Sequence, residues 1–228
     1  MKVSIHQPQY IPWLPYFLKI DESDLFIFLD TVDFQKNGLQ NRNQIKTGQG
    51  AQWLTVPVQQ NFGQKIRDTA IDNRVGWRRK HQQTIQQCYG KSPGFSDYFD
   101  SLDELFSMDW DNLSVLDVEL TRRMMGWLGI DTPTRLSSDL AATGSASDLV
   151  LNICLEVGAT TYVSGTGGAS YLRVEEFERA GINVEFRPTP AISAYPQAFP
   201  KAGFVEHLSA LDILLNCGAD WRRYVALG

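Results

Sequence analysis

The chain has 228 residues, 43% of them hydrophobic and 21% charged, with a formal charge of −5. That length suffices for one sizeable core. The acidic balance argues against general nucleic-acid binding, which asks for a net basic footprint.

The first segment, Val3-Ser4-Ile5, reads as a short buried strand, and the residues after it, "HQPQYIPW", combine polar, aromatic and proline side chains. An aromatic helix through Trp13, Tyr16 and Phe17 follows, then "LFIFLD", a continuous apolar run typical of a strand buried on both faces. A long polar stretch leads to Gln44–Lys46 and Trp53–Val56, a strand pair around the turn "TGQG". "QKIRDTAID" reads as a further strand and "VGWRRKHQQTIQQCYGK" as a helix. Apolar spacing then predicts helices over "FSDYFDSLDELF" and "DNLSVLDVELTRRMMGWLGI". The last third returns to alternation. "SASDLVLNICLEVGA" is a helix capped by Ser145 or Ser147 and stopped at Gly158. "TTYVSG" is a strand, "ASYLRVEEFERAG" a helix, "INVEFRP" a strand and "FVEHLSALDILLNCG" the final helix.

The expectation is one α/β domain over residues 1–228. Its sheet is mostly parallel with flanking helices, a strand pair is inserted near residues 39–58, and a helical subregion lies around 74–130. Met1 runs directly into a strand, and no apolar run approaches the roughly eighteen residues of a membrane span. The sequence therefore predicts a cytoplasmic protein without a membrane segment. Cys88, Cys154 and Cys217 sit far apart in helical patterns and read as small core hydrophobes. Cys88 and His81 lie about 10 Å apart along a helix axis, too far for a thiolate–imidazole pair. The three histidines have no accompanying carboxylate cluster, so no metal is expected, and the sequence leaves the cofactor, ATP included, unknown.

In a parallel sheet, ligands bind beyond the carboxyl ends of the strands. Four such ends carry informative residues: His6 and Gln7; Asp30 with Asp33 beyond; the "SGTGG" loop, Ser164, Gly165 and Gly167 included; and Arg187. Tyr10 and Trp13 would wall the first of these. The glycine loop suits an anion, through close backbone approach and free helix N–H groups. In "DFQKNGLQNRNQIK", Lys36, Arg42 and Lys46 alternate with Gln35, Asn37, Asn41 and Asn43. Amides can read hydroxyls, and the cations suit a diphosphate. His6 is the histidine placed for proton transfer. His81, in "WRRKHQQT", could help hold an anion or sit on a helix surface, and His207 reads as structural in the final helix.

Together "SIHQPQYIPWLPYFLKI", "FLDTVDFQKNGLQNRNQIK", "WLTVPV", "WRRKHQQTI", "CYGKSPGFSDYF" and "YVSGTGGASYL" resemble the WbqC-like family, with Pro15 standing where that pattern has glycine. The resemblance covers nearly the whole chain. It implies surface-polysaccharide or O-antigen gene sets, and modification of an activated amino sugar or related amine by acyl or aminoacyl transfer. The substrates it implies are a nucleotide-linked amine and an acyl donor, with a carrier protein or charged tRNA as possible donors. Motif match carries over His6, Gln7, Pro8, Tyr10, Trp13, Asp33, Gln35, Lys36, Asn41, Arg42, Ser164 and Gly165. The segment Pro8 to Trp13 is also similar to the histidine-containing turn of nucleotidyltransferases, with Tyr10 and Trp13 in the histidine places. On the acyl-transfer reading His6 is the base and Asp33 orients the amine, while the nucleotidyltransferase likeness bears on the fold alone. The alternatives are an ATP-dependent adenylate-forming ligase and a non-catalytic sugar-nucleotide-binding or assembly protein.

Overall fold

A computed structural model describes residues 1–225, so the last three residues of the expected 1–228 domain lie outside it. Its strands are β1 (Lys2–His6), β2 (Leu25–Phe28), β3 (Arg42–Thr47), β4 (Gly50–Thr55), β5 (Thr134–Leu136), β6 (Thr161–Gly165) and β7 (Asn183–Arg187). Its α-helices are α1 (Leu14–Asp21), α2 (Trp77–Tyr89), α3 (Phe95–Ser107), α4 (Leu113–Leu128), α5 (Ala146–Glu156), α6 (Val174–Arg179) and α7 (Ala210–Cys217). The fold is α/β, as the alternating pattern predicts. Five parallel strands lie in the order β5-β2-β1-β6-β7, and β3 and β4 pair antiparallel as a separate hairpin.

Strand side chains alternate between faces, and here each face meets its own helices. Val3, Ile5, Leu25, Ile27 and Tyr162 pack with Leu149, Val150, Ile153 and Cys154 of α5 and Phe177 of α6. Phe26 and Phe28, of opposite parity, join the larger core built by α1, α2, α3, α4 and α7. This two-sided burial explains why "LFIF" is apolar at every position. In the helical layer, the Asn112 side chain accepts from Val115 N at the start of α4, and Gly129 ends the helix in the left-handed region at φ 68°.

Four local expectations are corrected. "QKIRDTAID" is not a strand but a 3-10 turn, Ile66–Asp68. The predicted helix "ASYLRVEEFERAG" is divided, with a 3-10 turn at Thr166–Ser170 and α6 beginning only at Val174. The final helix starts at Ala210, where the Ser209 hydroxyl accepts from Leu211 N. His207, expected inside that helix, is exposed before it at φ 59°, beside Glu206. Finally β5 was not anticipated. Buried Asp30 recruits it, accepting from Ser137 Oγ (2.8 Å), Ser138 N (2.9 Å) and Ser138 Oγ (2.6 Å).

Candidate functional site

The chain builds the sheet outward from β1 through β2 to β5, then returns to the other side of β1 with β6 and β7. Strand order therefore reverses between β1 and β6, the place where open parallel sheets form ligand crevices. The ladders show how the crevice opens. β1 stays in register with β2 as far as His6–Phe28, and β6 with β7 as far as Gly165–Arg187. Between β1 and β6, however, pairing ends at Ser4–Val163.

Beyond that point the two strands part. The His6 carbonyl accepts from Leu29 N on the β2 side (2.8 Å), so the preceding Ile5 carbonyl faces β6. Lys19 of α1 fills the gap, donating from Nζ to Ile5 O at 2.8 Å. A cleft of about 350 Å³ lies here, lined among others by His6, Gln7, Lys19, Ser164, Gly165, Gly167 and Tyr171.

His6 sits edge-on to Tyr16, with ring centres 5.0 Å apart. Its Nδ1 lies 3.1 Å from the Gln7 carbonyl, which also accepts from the Tyr16 hydroxyl at 3.2 Å. A carbonyl cannot donate, so this bond places the proton on Nδ1 and leaves Nε2 with its lone pair. Desolvation, followed by the nearby Lys19 charge, lowers the His6 pKa to about 4, against the opposing effect of the Gln7 bond. His6 is thus neutral at pH 7, and a weak base for as long as the Lys19 charge stands beside it without a counter-ion. The Gln7 side-chain oxygen is consumed by Gln40 Nε2 at 2.7 Å, so what Gln7 offers a ligand is its N–H pair.

The three glycines of the following turn differ. A Cβ on Gly168 would lie 2.0 Å from Ser164 Oγ and 2.9 Å from Leu172 Cδ1, so packing requires glycine there. Gly165 and Gly167 have ordinary backbone angles, and a Cβ on either would meet nothing within 4 Å. Neither strain nor packing calls for glycine at these two cleft-lining positions. What glycine does there is leave open space beside the backbone, as close approach of a ligand requires. The α-helix N-terminus expected at this loop is replaced by the start of a 3-10 turn, Thr166–Ser170, and α6 begins only at Val174.

The cleft thus gathers His6, Gln7, Ser164, Gly165 and Gly167. The other candidates lie elsewhere. Asp33 is exposed and paired with Lys65 at 2.6 Å. Tyr10 and His81 are buried against each other (Tyr10 Oη to His81 Nδ1, 2.7 Å), beside Trp77 and Phe106. Burial first and Lys80 second lower the His81 pKa to about 4, so this pair is a neutral core contact.

Trp13 lines a second groove of about 370 Å³ together with Phe204, Leu208 and Ile213. Its polar lining includes Ser209, Glu206, His207 and Tyr195, the last already bound to Asp212. Gln35 and Lys36 are exposed in their loop, where the Gln35 backbone N–H meets Gln40. Asn41 donates to Val56 O, and Asn43 to Ile11 O. Arg42 stacks over Trp53 (4.4 Å) and reaches Asn37 O. Lys46, 1% exposed, donates to Gln197 Oε1 and Gly203 O. The amide-rich stretch therefore spends most of its donors on the protein itself.

Of the strand ends, Arg187 is held by Glu22 and Glu185, and Asp30 by the serines after β5. Lys19 and Tyr171 enter the cleft without having been anticipated. Lys19 did leave a signal: it is a lone cation between Leu18 and Ile20, both buried, in a helix that packs on the sheet. Among the described residues, no helix is long and apolar enough to cross a membrane, and no cluster of His, Cys, Asp and Glu could hold a metal ion.

The family model described as "WbqC-like protein family" matches residues 7–224. A relative from Mycobacterium tuberculosis, "Uncharacterized protein Rv1507c", is 36% identical over 98% of this chain and 98% of its own length. No solved structure matches the chain. The chain belongs to the WbqC-like family.

Proposed function

We propose that the chain is a transferase that acylates the amine of an activated, nucleotide-linked amino sugar or related amine in the cleft between the ends of β1 and β6. The observation that supports this most is the contact of His6 Nδ1 with the Gln7 carbonyl in the cleft lining, which assigns the proton to Nδ1 and leaves the Nε2 lone pair for a substrate. In the step envisaged, the amine nitrogen attacks the carbonyl carbon of a thioester or other activated acyl group. The new C–N bond forms, the ammonium proton passes to His6 Nε2, and the carbon–leaving-group bond breaks as the leaving group takes up a proton. Gln7 would position the amine or an adjacent hydroxyl, and the open backbone at Gly165 and Gly167 would let the carbonyl oxygen approach amide N–H groups. Asp33, expected to orient the amine, is bound to Lys65, and Gln7 takes that place in the scheme.

Thermal unfolding with a panel of UDP- and dTDP-linked amino sugars, ATP and acyl-CoA, followed by mass analysis for an amide product, tests the reading. A ligand at a hundred times its Kd adds about 2.7 kcal/mol, which for a chain of this size raises Tm by roughly 5–10 °C. The transferase predicts such a rise with an amino-sugar nucleotide and not with ATP, and an amide product once the acyl donor is added. A rise with ATP and release of pyrophosphate would instead identify a ligase. Binding of the sugar nucleotide with no product from any donor would identify a binding protein.

A further inference from the structure

Among the described residues, the cleft is lined by one fixed positive charge and no carboxylate. Lys19 enters it from α1, and its ammonium, with three N–H groups to give, makes one hydrogen bond, to Ile5 O. The titratable groups on the elements around it are His6 on β1, Tyr16 on its own helix, Tyr162 on β6, Tyr171 after the turn and, acting on Tyr16 from α4, Asp117, whose carboxyl burial holds well above the usual range. Carboxylates on the β7 side are already engaged: Glu185 by Lys2 and Arg187, and Glu22 by Arg187. Desolvation without a counter-charge lowers the Lys19 pKa to about 8. Holding an unpaired ammonium out of bulk water is costly, and such groups in clefts mark functional sites. Across from Lys19, the two glycines that packing does not require leave the backbone bare.

We propose that the cleft receives its ligand through an oxyanion group, a phosphate or a carboxylate, held by Lys19 Nζ on one side and the Gly165–Gly168 turn on the other. The inference rests on the cleft being the ligand site and is independent of the transfer chemistry. It also gives the site an internal coupling. The Lys19 charge is the second cause of the low His6 pKa, so an anion that neutralises Lys19 lets His6 become a stronger base. Proton acceptance then rises when the ligand is in place.

Calorimetric titration with UDP, inorganic phosphate, acetate and uridine tests this on wild type, Lys19→Met and Lys19→Gln. UDP is expected to bind wild type and uridine at least about tenfold more weakly. The phosphate and acetate arms tell the two oxyanion sources apart. Lys19→Met and Lys19→Gln should each lose UDP affinity by roughly thirtyfold or more, since truncating a buried charged contact costs 2–5 kcal/mol, and should keep the wild-type Tm or exceed it.

The sign of the pH effect follows from the anion raising the Lys19 pKa above its free value of about 8. Affinity therefore falls as pH rises through about 8, up to tenfold per unit, with proton uptake on binding in that range. In Lys19→Met this slope disappears. UDP binding that is equally strong and equally pH-dependent in Lys19→Met would overturn the proposal, as would the absence of any anion binding to wild type. If a ligand were lost on blocking Gly165 yet indifferent to Lys19→Met, the cleft would stand and the anion anchor would fall.

Discussion

His6→Ala is expected to lower the rate of amide formation by about 10²–10⁴-fold, the usual contribution of a positioned general base, while sugar-nucleotide affinity changes little. The split follows from the division of labour in the cleft. His6 presents an unprotonated Nε2, whereas the charge that would hold an anion belongs to Lys19. Steady-state kinetics should therefore show the loss in kcat, with KM moving far less. His6→Gln should be nearly as impaired, because a side-chain amide keeps hydrogen bonding but cannot take up the proton. A variant that kept wild-type kcat would remove His6 from the chemistry. A variant that lost binding and kcat together would make it a binding residue.

Asp212→Ala is expected to cost about 3–5 kcal/mol of stability, the range for breaking a buried, hydrogen-bonded charge network at one partner, and to lower Tm by roughly 10 °C. Asp212 is fully buried on α7 and accepts from the Tyr89 hydroxyl at 2.6 Å and the Tyr195 hydroxyl at 2.8 Å. Burial raises its pKa, while Tyr89, Tyr195 and the Lys46 charge pull it back down. Tyr89 Oη also accepts from the Lys46 backbone N–H, and Lys46 Nζ grips Gln197 and Gly203. One carboxylate therefore ties the β3–β4 hairpin, α2 and the 195–203 segment onto α7. Tyr89→Phe and Tyr195→Phe should each cost less, about 1.5–3 kcal/mol for one hydrogen bond to a charged group. Chemical denaturation measures all three. A loss from Asp212→Ala no greater than that from either tyrosine variant would contradict the network account.

The same network shows where a sequence stops informing. Lys46 in "NQIKT" has the residue type and setting of a cation on a solvated hairpin. Its burial depends on Gln197 and Gly203, more than 150 residues later. Asn41 and Asn43 look like ligand readers for the same reason, since a polar side chain announces that it needs a partner without saying which. Here Val56 O and Ile11 O fill that need. Tyr10 and His81 satisfy each other across 71 positions.

The sheet was far more legible. "VSI", "LFIF" and "TTYV" are short apolar runs between helical patterns, and their burial on two faces dictates a parallel sheet. The three-residue β5 carries no such run, and its Arg135 is exposed. Its place is set by Asp30 reaching two serines, a contact local pattern cannot reveal. That His6, Gln7 and the Ser164–Gly168 turn share one cleft was legible because strand ends in a parallel sheet converge. Asp33 lies outside that cleft, three residues past Asp30, where the loop has turned toward Lys65.

Gly165→Val tests the central claim, that the parting of β1 and β6 forms the ligand site. A Cβ at Gly165 meets nothing within 4 Å, and its φ of −71° with ψ of 166° suits a β-branched residue. The variant should fold with a Tm within about 1–2 °C of wild type, as surface changes usually do, while its added branches intrude on the cleft. The measurement is UDP and UDP-amino-sugar affinity by calorimetry, side by side for the two proteins. The account predicts at least about a tenfold loss in Gly165→Val at unchanged stability, the equivalent of some 1.4 kcal/mol. Equal affinity in a stable Gly165→Val protein would place the ligand elsewhere and contradict the account.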